Sequence, residues 1–276
     1  MLRHFLIAVA AILLLNAVII VSAPGNMMEP TMVTGSFTFG RVNLEENIPS
    51  DIKSITLNYL IDVNSYLVKS GDSYILIDTG VSTKRTDFEK ELKVAGVKPG
   101  NLKLIILTHG DFDHTGNAAY LRKKFGAKIA MHDGDSGMVE GGDMFWNRKK
   151  GNILLGMIAP ILFGFGKSER FKPDLYLEDG YNLSGYGFDA KVLQIPGHSK
   201  GSIGILTAGG DLFCGDLLMN EEKPGLNSNM DDSTAAKASI EKLKKLSINT
   251  VYSGHGKPFS WEQFLKNCRK KNGEMN

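Results

Sequence analysis

The stretch Thr108-His109-Gly110-Asp111-Phe112-Asp113-His114-Thr115-Gly116 places two histidines and two aspartates directly after the apolar run Leu104 to Leu107. Imidazole and carboxylate are donors that zinc, iron or manganese accept. With no cation among them, so dense a run would carry strong like-charge repulsion, and a metal explains why they stand together. Three later fragments bring the same donor types, each at the end of a predicted strand and beside glycine: Pro196-Gly197-His198-Ser199-Lys200-Gly201-Ser202, Phe213-Cys214-Gly215-Asp216 and Ser253-Gly254-His255-Gly256. Strand ends are where α/β folds hold ligands. Of the other histidines, His4 lies in an apolar N-terminal run, and His132 reads as an ordinary core or surface group. Neither Ser199 nor Ser253 sits in a GxSxG elbow, so there is no case for a serine nucleophile.

Positioning such donors requires a scaffold, and the chain alternates short β-branched runs with longer amphipathic stretches, which is α/β punctuation. Strands are predicted at Ser36 to Val42, Ile55 to Ile61, Ser65 to Lys69, Tyr74 to Ile77, Leu104 to Leu107, Lys128 to Met131, Lys191 to Ile195, Ser202 to Thr207, Asp211 to Cys214 and Thr250 to Tyr252. Many are apolar at nearly every position, so both sheet faces are covered. Helices are predicted at Lys84 to Ala95, Asn117 to Phe125, Ser233 to Leu246 and Trp261 to Lys271, the last with a capping box formed by Ser260 and Gln263. Gly134 to Leu175 breaks this rhythm with glycines, a Trp, the basic Arg148-Lys149-Lys150 and the apolar Ile153 to Phe165. It reads as an insertion, either a lid over an apolar pocket or at a membrane surface, or a helix packed on the domain.

The 276 residues, 42% of them hydrophobic, suffice for one large catalytic domain. A net charge of +2, with Lys and Arg scattered, gives no electrostatic footprint for nucleic acid, and a small-molecule substrate fits better. Two cysteines are too few for a disulfide framework. Residues 1–25 stand apart: Arg3 is the sole charge, and Phe5 to Ala23 is apolar except for Asn16 and Ser22. A run of about 19 residues lies near the roughly 20 that span a bilayer, and Val21-Ser22-Ala23 offers small residues for a signal peptidase. Two forms of export follow, a membrane anchor with an extracytoplasmic domain or secretion after a cut near Ala23. Residues 26–36 read as a linker and 37–276 as the catalytic domain, with the insertion at about 134–175.

The order and spacing of the donors resemble the metallo-β-lactamase superfamily, whose signature is HxHxDH followed by a distant His, an Asp and a final His. Leu76-Ile77-Asp78-Thr79-Gly80 resembles the family's early strand and turn. The resemblance spans about Ser36 to Phe264. It implies an αββα four-layer sandwich with a metal site at one edge and two divalent ions, zinc in the first instance, with iron or manganese as the alternative. Carried over by position, it implies His109 and His198 on the first metal, Asp113, His114 and His255 on the second, Asp216 as the bridge and Asp78 in support behind them. Asp111 stands where the family has its second histidine, giving an HxDxDH variant.

The resemblance further implies a metal-bridged hydroxide attacking a small-molecule ester, lactone, thioester, lactam or phosphoester, with Asp113 orienting it. Two divalent ions, three aspartates and one hydroxide sum to zero formal charge, whereas a neutral histidine at position 111 would leave one positive charge. The expectation is a weaker Lewis acid. A carboxylate there is also similar to the glutamate of the flavodiiron branch, so the alternative is an iron-dependent oxidoreductase, sulfur dioxygenase-like or flavodiiron-like. Asp111 turned away from the metals is a further alternative.

Overall fold

The computed structural model describes residues 51–59, 62–149 and 153–271, all within the compact unit Leu44–Asn276. The apolar N-terminal segment, the linker and the strand predicted at Ser36 to Val42 lie outside the described residues.

The strands are β1 (Ile52–Asn58), β2 (Asp62–Ser70), β3 (Ser73–Ile77), β4 (Leu102–Ile106), β5 (Lys128–Met131), β6 (Leu175–Tyr176), β7 (Ala190–Gln194), β8 (Ile203–Thr207), β9 (Asp211–Gly215), β10 (Leu218–Met219), β11 (Gly225–Leu226), β12 (Thr250–Ser253) and β13 (Phe259–Ser260). The α-helices are α1 (Arg85–Val94), α2 (Phe112–Thr115), α3 (Ala118–Phe125), α4 (Ser136–Gly141), α5 (Ile153–Leu162), α6 (Ser233–Leu243) and α7 (Trp261–Lys271). One sheet runs β1-β2-β3-β4-β5-β6, antiparallel over its first three strands and parallel from β3 onward. The other runs β13-β12-β9-β8-β7, with a parallel pair at β9 and β12.

The continuous apolar runs of the central strands are explained by burial on both sides. Ile75, Ile77, Leu104 and Ile106 point between the sheets, where they meet Val192, Ile205, Phe213 and Tyr252. Their neighbours Leu76, Ile105 and Leu107 point outward and pack with Phe88 and Leu92 of α1 and Leu121 and Phe125 of α3. In the second sheet, Leu212, Cys214 and Val251 face Ala236, Ile240 and Leu243 of α6 and Phe264 of α7. Period-2 alternation with apolar residues on both faces thus yields helix, sheet, sheet and helix layers.

Several element bounds move: the strand predicted at Ser65 to Lys69 runs from Asp62 to Ser70, and that predicted at Leu104 to Leu107 runs from Leu102 to Ile106. The first described strand begins at Ile52 and stops at Asn58, because it pairs with β2 residue by residue from Ile52 opposite Val68 to Asn58 opposite Asp62. The helix that begins at Ser233 ends at Leu243 instead of continuing to Leu246. Asp232 caps it by accepting from the amides of Thr234 and Ala235, and Ser260 Oγ accepts from Gln263 N at 3.2 Å at the start of α7. Between β5 and β6 lie α4 and α5. Ala159, Phe165 and Phe171 of this region enter the core beside α1 and α3, while Met157 and Ile161 are exposed.

Candidate metal centre

His109, Asp111, Asp113 and His114 occupy the turn that leaves β4 and the single turn of α2, with Asp111 as its N-cap residue. His198 follows β7, Asp216 follows β9 and His255 follows β12. Both sheets therefore contribute donors to the same edge. The loop carrying His255 is tied across the seam to β2: Asn64 Nδ2 donates to the carbonyls of Ser253 and Gly256, and Tyr66 Oη donates to Ser253 O at 2.6 Å. Gly254 has to be glycine for close approach, since a Cβ there would collide with Asp216 Oδ1 and His114 Cε1.

Three groups of donors have ligand atoms within 4.8 Å of one another: His109, Asp111 and His198 in the first, Asp113, His114 and His255 in the second, and Asp78 with His109 and His114, which overlaps both. In the first, Asp111 Oδ2 is 3.0 Å from His198 Nε2 and 3.7 Å from His109 Nε2, so Asp111 faces the cluster. In the second, Asp113 Oδ2 is 3.6 Å from His114 Nε2 and 3.7 Å from His255 Nε2. Asp216 reaches both of these groups, with Oδ1 3.4 Å from His114 Nε2 and Oδ2 3.0 Å from His255 Nε2 and 4.0 Å from His198 Nε2.

Each imidazole is oriented through its other nitrogen. His198 Nδ1 bonds Asn229 O at 2.7 Å and His255 Nδ1 bonds Asp62 O at 2.8 Å. His114 Nδ1 lies 3.1 Å from Asp78 Oδ2, and His109 Nδ1 lies 2.9 Å from Thr108 Oγ1, which itself donates to Asp78 Oδ2. Asp78 adopts φ +59°, a left-handed conformation uncommon outside glycine, and so aims one carboxylate at Thr108 N, Thr108 Oγ1 and His114 Nδ1. Such tethers fix the ring orientation and leave Nε2 facing the centre.

At that centre, His109 Nε2, His114 Nε2 and Asp216 Oδ1 are buried and have no hydrogen-bond partner among the described residues. Buried polar atoms are rarely left so, and a cation would satisfy all three. Burial disfavours the imidazolium forms, yet the carboxylates outweigh it: Asp113, Asp216 and Asp78 hold His114 well above its ordinary range, Asp111 raises His198, and Asp216 pushes His255 up to about 9. His109 is held well below that range by burial and by neighbouring His114. Burial likewise disfavours ionised Asp216, but His255 and His114 hold it well below the usual carboxylate range, whereas burial raises Asp113. Protons on these rings are what a divalent cation would displace. The donor set therefore fits divalent metal.

A family model of the metallo-β-lactamase superfamily matches residues 59–255. The chain belongs to that superfamily. The metallo-β-lactamase relatives include the probable metallo-hydrolase YqjP of Bacillus subtilis (strain 168), 27% identical over 231 residues, covering 74% of this chain and 70% of that protein. Hydroxyacylglutathione hydrolase GloC of Haemophilus influenzae is 29% identical over 164 residues, covering 56% of this chain and 69% of that one. Among solved structures, TTHA1623 in a di-iron-bound form superposes with a TM-score of 0.61 at 26% identity, over 78% of this chain and 97% of its own. The protein is a metallo-hydrolase with the two-sheet, helix-flanked metallo-β-lactamase fold.

Sequence reasoning missed several groups. Arg148 donates from Nη2 to Asp111 Oδ1, and both side chains are 6% exposed. Asp135 is fully buried and accepts from Gly110 N, Gly201 N and Ser199 Oγ, bracing the two ligand loops against each other. The signal for Arg148 lay in the basic run of the insertion, but its partner was not readable. His132 stays outside the centre, accepting from Gly134 N at 2.9 Å.

Proposed function

We propose that the protein is an exported hydrolase with two divalent metal ions, zinc in the first instance, acting on a small-molecule ester, lactone, thioester, lactam or phosphoester. The observation that carries this is the set of orphaned buried atoms, His109 Nε2, His114 Nε2 and Asp216 Oδ1, converging where the two donor groups meet. His109, Asp111 and His198 would hold one ion, Asp113, His114 and His255 the other, and Asp216 would lie between them. Bound ions of this kind supply Lewis acidity and activate water.

The side chain of Asp113 is 14% exposed against 6% for Asp111 and Asp216, so it is the carboxylate of the three that opens most toward an entering molecule. Asp113 would therefore help to hold the second ion and orient the attacking group from the open side of the centre. Tyr59 lies close enough to feel the Asp113 charge, donates from its hydroxyl to Leu162 O and meets Phe163 at 5.8 Å between ring centres. Thioesters and esters head the substrate order because the Haemophilus relative is a hydroxyacylglutathione hydrolase. Assay of lactone, thioester, ester, β-lactam and phosphodiester substrates with metal-analysed protein tests the reading. Full activity after exhaustive chelation would overturn it.

A second reading, an iron-dependent oxidoreductase, is favoured by one observation, the di-iron-bound form of the TTHA1623 relative. Hydrolysis by zinc-loaded, iron-free protein decides against it. For location, no helix among the described residues is long and apolar enough to cross a membrane. The proposed anchor or signal is Phe5 to Ala23, supported by its uncharged apolar run. Full-length protein should fractionate with membranes, or start at Pro24 if secreted. Uncut protein in the cytosol would refute export.

A further inference from the structure

Asp111 replaces an imidazole with a carboxylate, which changes both the number of donor atoms offered and the charge. Arg148 acts on both. Its Nη2 donates to Asp111 Oδ1, and Asp111 Oδ2 faces His198 Nε2 at 3.0 Å and His109 Nε2 at 3.7 Å. A carboxylate gripped at one oxygen by a guanidinium can offer only the other, so it presents one donor atom on a fixed line, as a tethered imidazole does. The aspartate removes one positive charge relative to a neutral histidine, and the guanidinium returns it. With both side chains 6% exposed, water screens little of that exchange.

We propose that Arg148 is a positioning residue of the metal centre: with Asp111 it forms a two-residue substitute for the second histidine of the family motif, fixing Oδ2 as a single donor to the ion shared with His109 and His198. The proposal rests on the two-metal reading above. The rival role, an anchor that only holds the segment between α4 and α5 against the domain, is separable from it. Neighbouring Lys149 supplies an independent anchor, its backbone N donating to Asp231 Oδ2 at 3.0 Å and its Nζ to Asp232 Oδ2. Of the two basic residues, Arg148 is the one that reaches Asp111.

The test is zinc binding by full-length protein in chelator-buffered zinc, read by elemental analysis, with circular dichroism confirming the fold of every variant. Wild type should hold two ions per chain, which tests the two-metal reading by itself. Arg148→Ala and Arg148→Gln should bind one of the two ions about tenfold or more weakly, and Lys149→Ala should bind both as wild type does. In the Asp111→His background the sign should reverse. There the guanidinium faces an imidazole and a cation, so Asp111→His/Arg148→Ala should bind zinc at least as tightly as Asp111→His alone. Cobalt-loaded Arg148→Ala should also change its visible absorption spectrum while Lys149→Ala does not. Equal weakening by Arg148→Ala in both backgrounds would make Arg148 a structural anchor and overturn the proposal. Unchanged or tighter zinc binding by Arg148→Ala in the otherwise wild-type chain would overturn it as well.

Discussion

The two halves of the candidate centre use the same donor types but lean on different parts of the chain. Around His114 and His255 the support comes from the sheets themselves: Asp78 at the end of β3, the Asp62 carbonyl at the start of β2, and the seam bonds of Asn64 and Tyr66. Around Asp111 it comes from Arg148, on an irregular segment between two helices, and from Asp135, which ties the His109 and His198 loops together. One half is thus fixed by the core, whereas in the other Asp111 depends on a side chain delivered from outside it, even though His109 is still tied to Asp78 through Thr108. Rigid elements hold ligands more accurately than loops do, so the half with Arg148 is where metal affinity and selectivity should be easiest to alter.

That contrast can be broken in four steps. Asp216→Ala removes the one carboxylate that reaches both halves. It should take hydrolysis to background and leave fewer than two ions per chain by elemental analysis. Asp111→Ala should harm one half only, while leaving the Arg148 guanidinium buried without its carboxylate. Removing one partner of a buried ion pair costs about 3–5 kcal/mol, so metal-free protein should unfold at markedly lower denaturant. Asp78→Ala should free His114 Nδ1 and loosen His109 through Thr108, and metal affinity should fall by about 10- to 100-fold while His198 keeps its Asn229 tether. Ile161→Ser, on the exposed side of α5, should change stability by no more than about 0.5 kcal/mol and leave metal content alone. A large effect there would mean that this helix is not merely exposed on that side.

How legible these features were in the sequence follows from how local they are. Burial of the sheets on both faces could be read because runs such as Leu104 to Leu107 are apolar at every position, whereas the pairing of two sheets came only through the family resemblance. The seven donors could be read because four stand within one short stretch and the rest end predicted strands beside glycine. The start of β1 was harder, since Lys53 and Ser54 interrupt its pattern and look like loop. Arg148 was not legible as part of the centre. It lies 37 residues beyond Asp111, in a segment without periodicity, and a salt bridge at that separation is set by the tertiary path alone. The same holds for Asp135, whose three bonds join loops 25 and 66 residues away.

The arrangement of donors across both sheets has a mechanical consequence. Asp111 and His198 are 87 residues apart in the chain, yet they would share one ion. A shared ion closes a long loop much as a disulfide would, and the entropy removed from the unfolded chain grows with the logarithm of loop length. In a protein without a disulfide framework the ions would then serve as covalent-like staples between the halves of the sandwich. Their contribution would scale with free metal concentration, because whatever binds only the folded chain shifts the folding equilibrium by mass action. Metal supply would set how long the folded chain survives as well as how fast it turns over substrate.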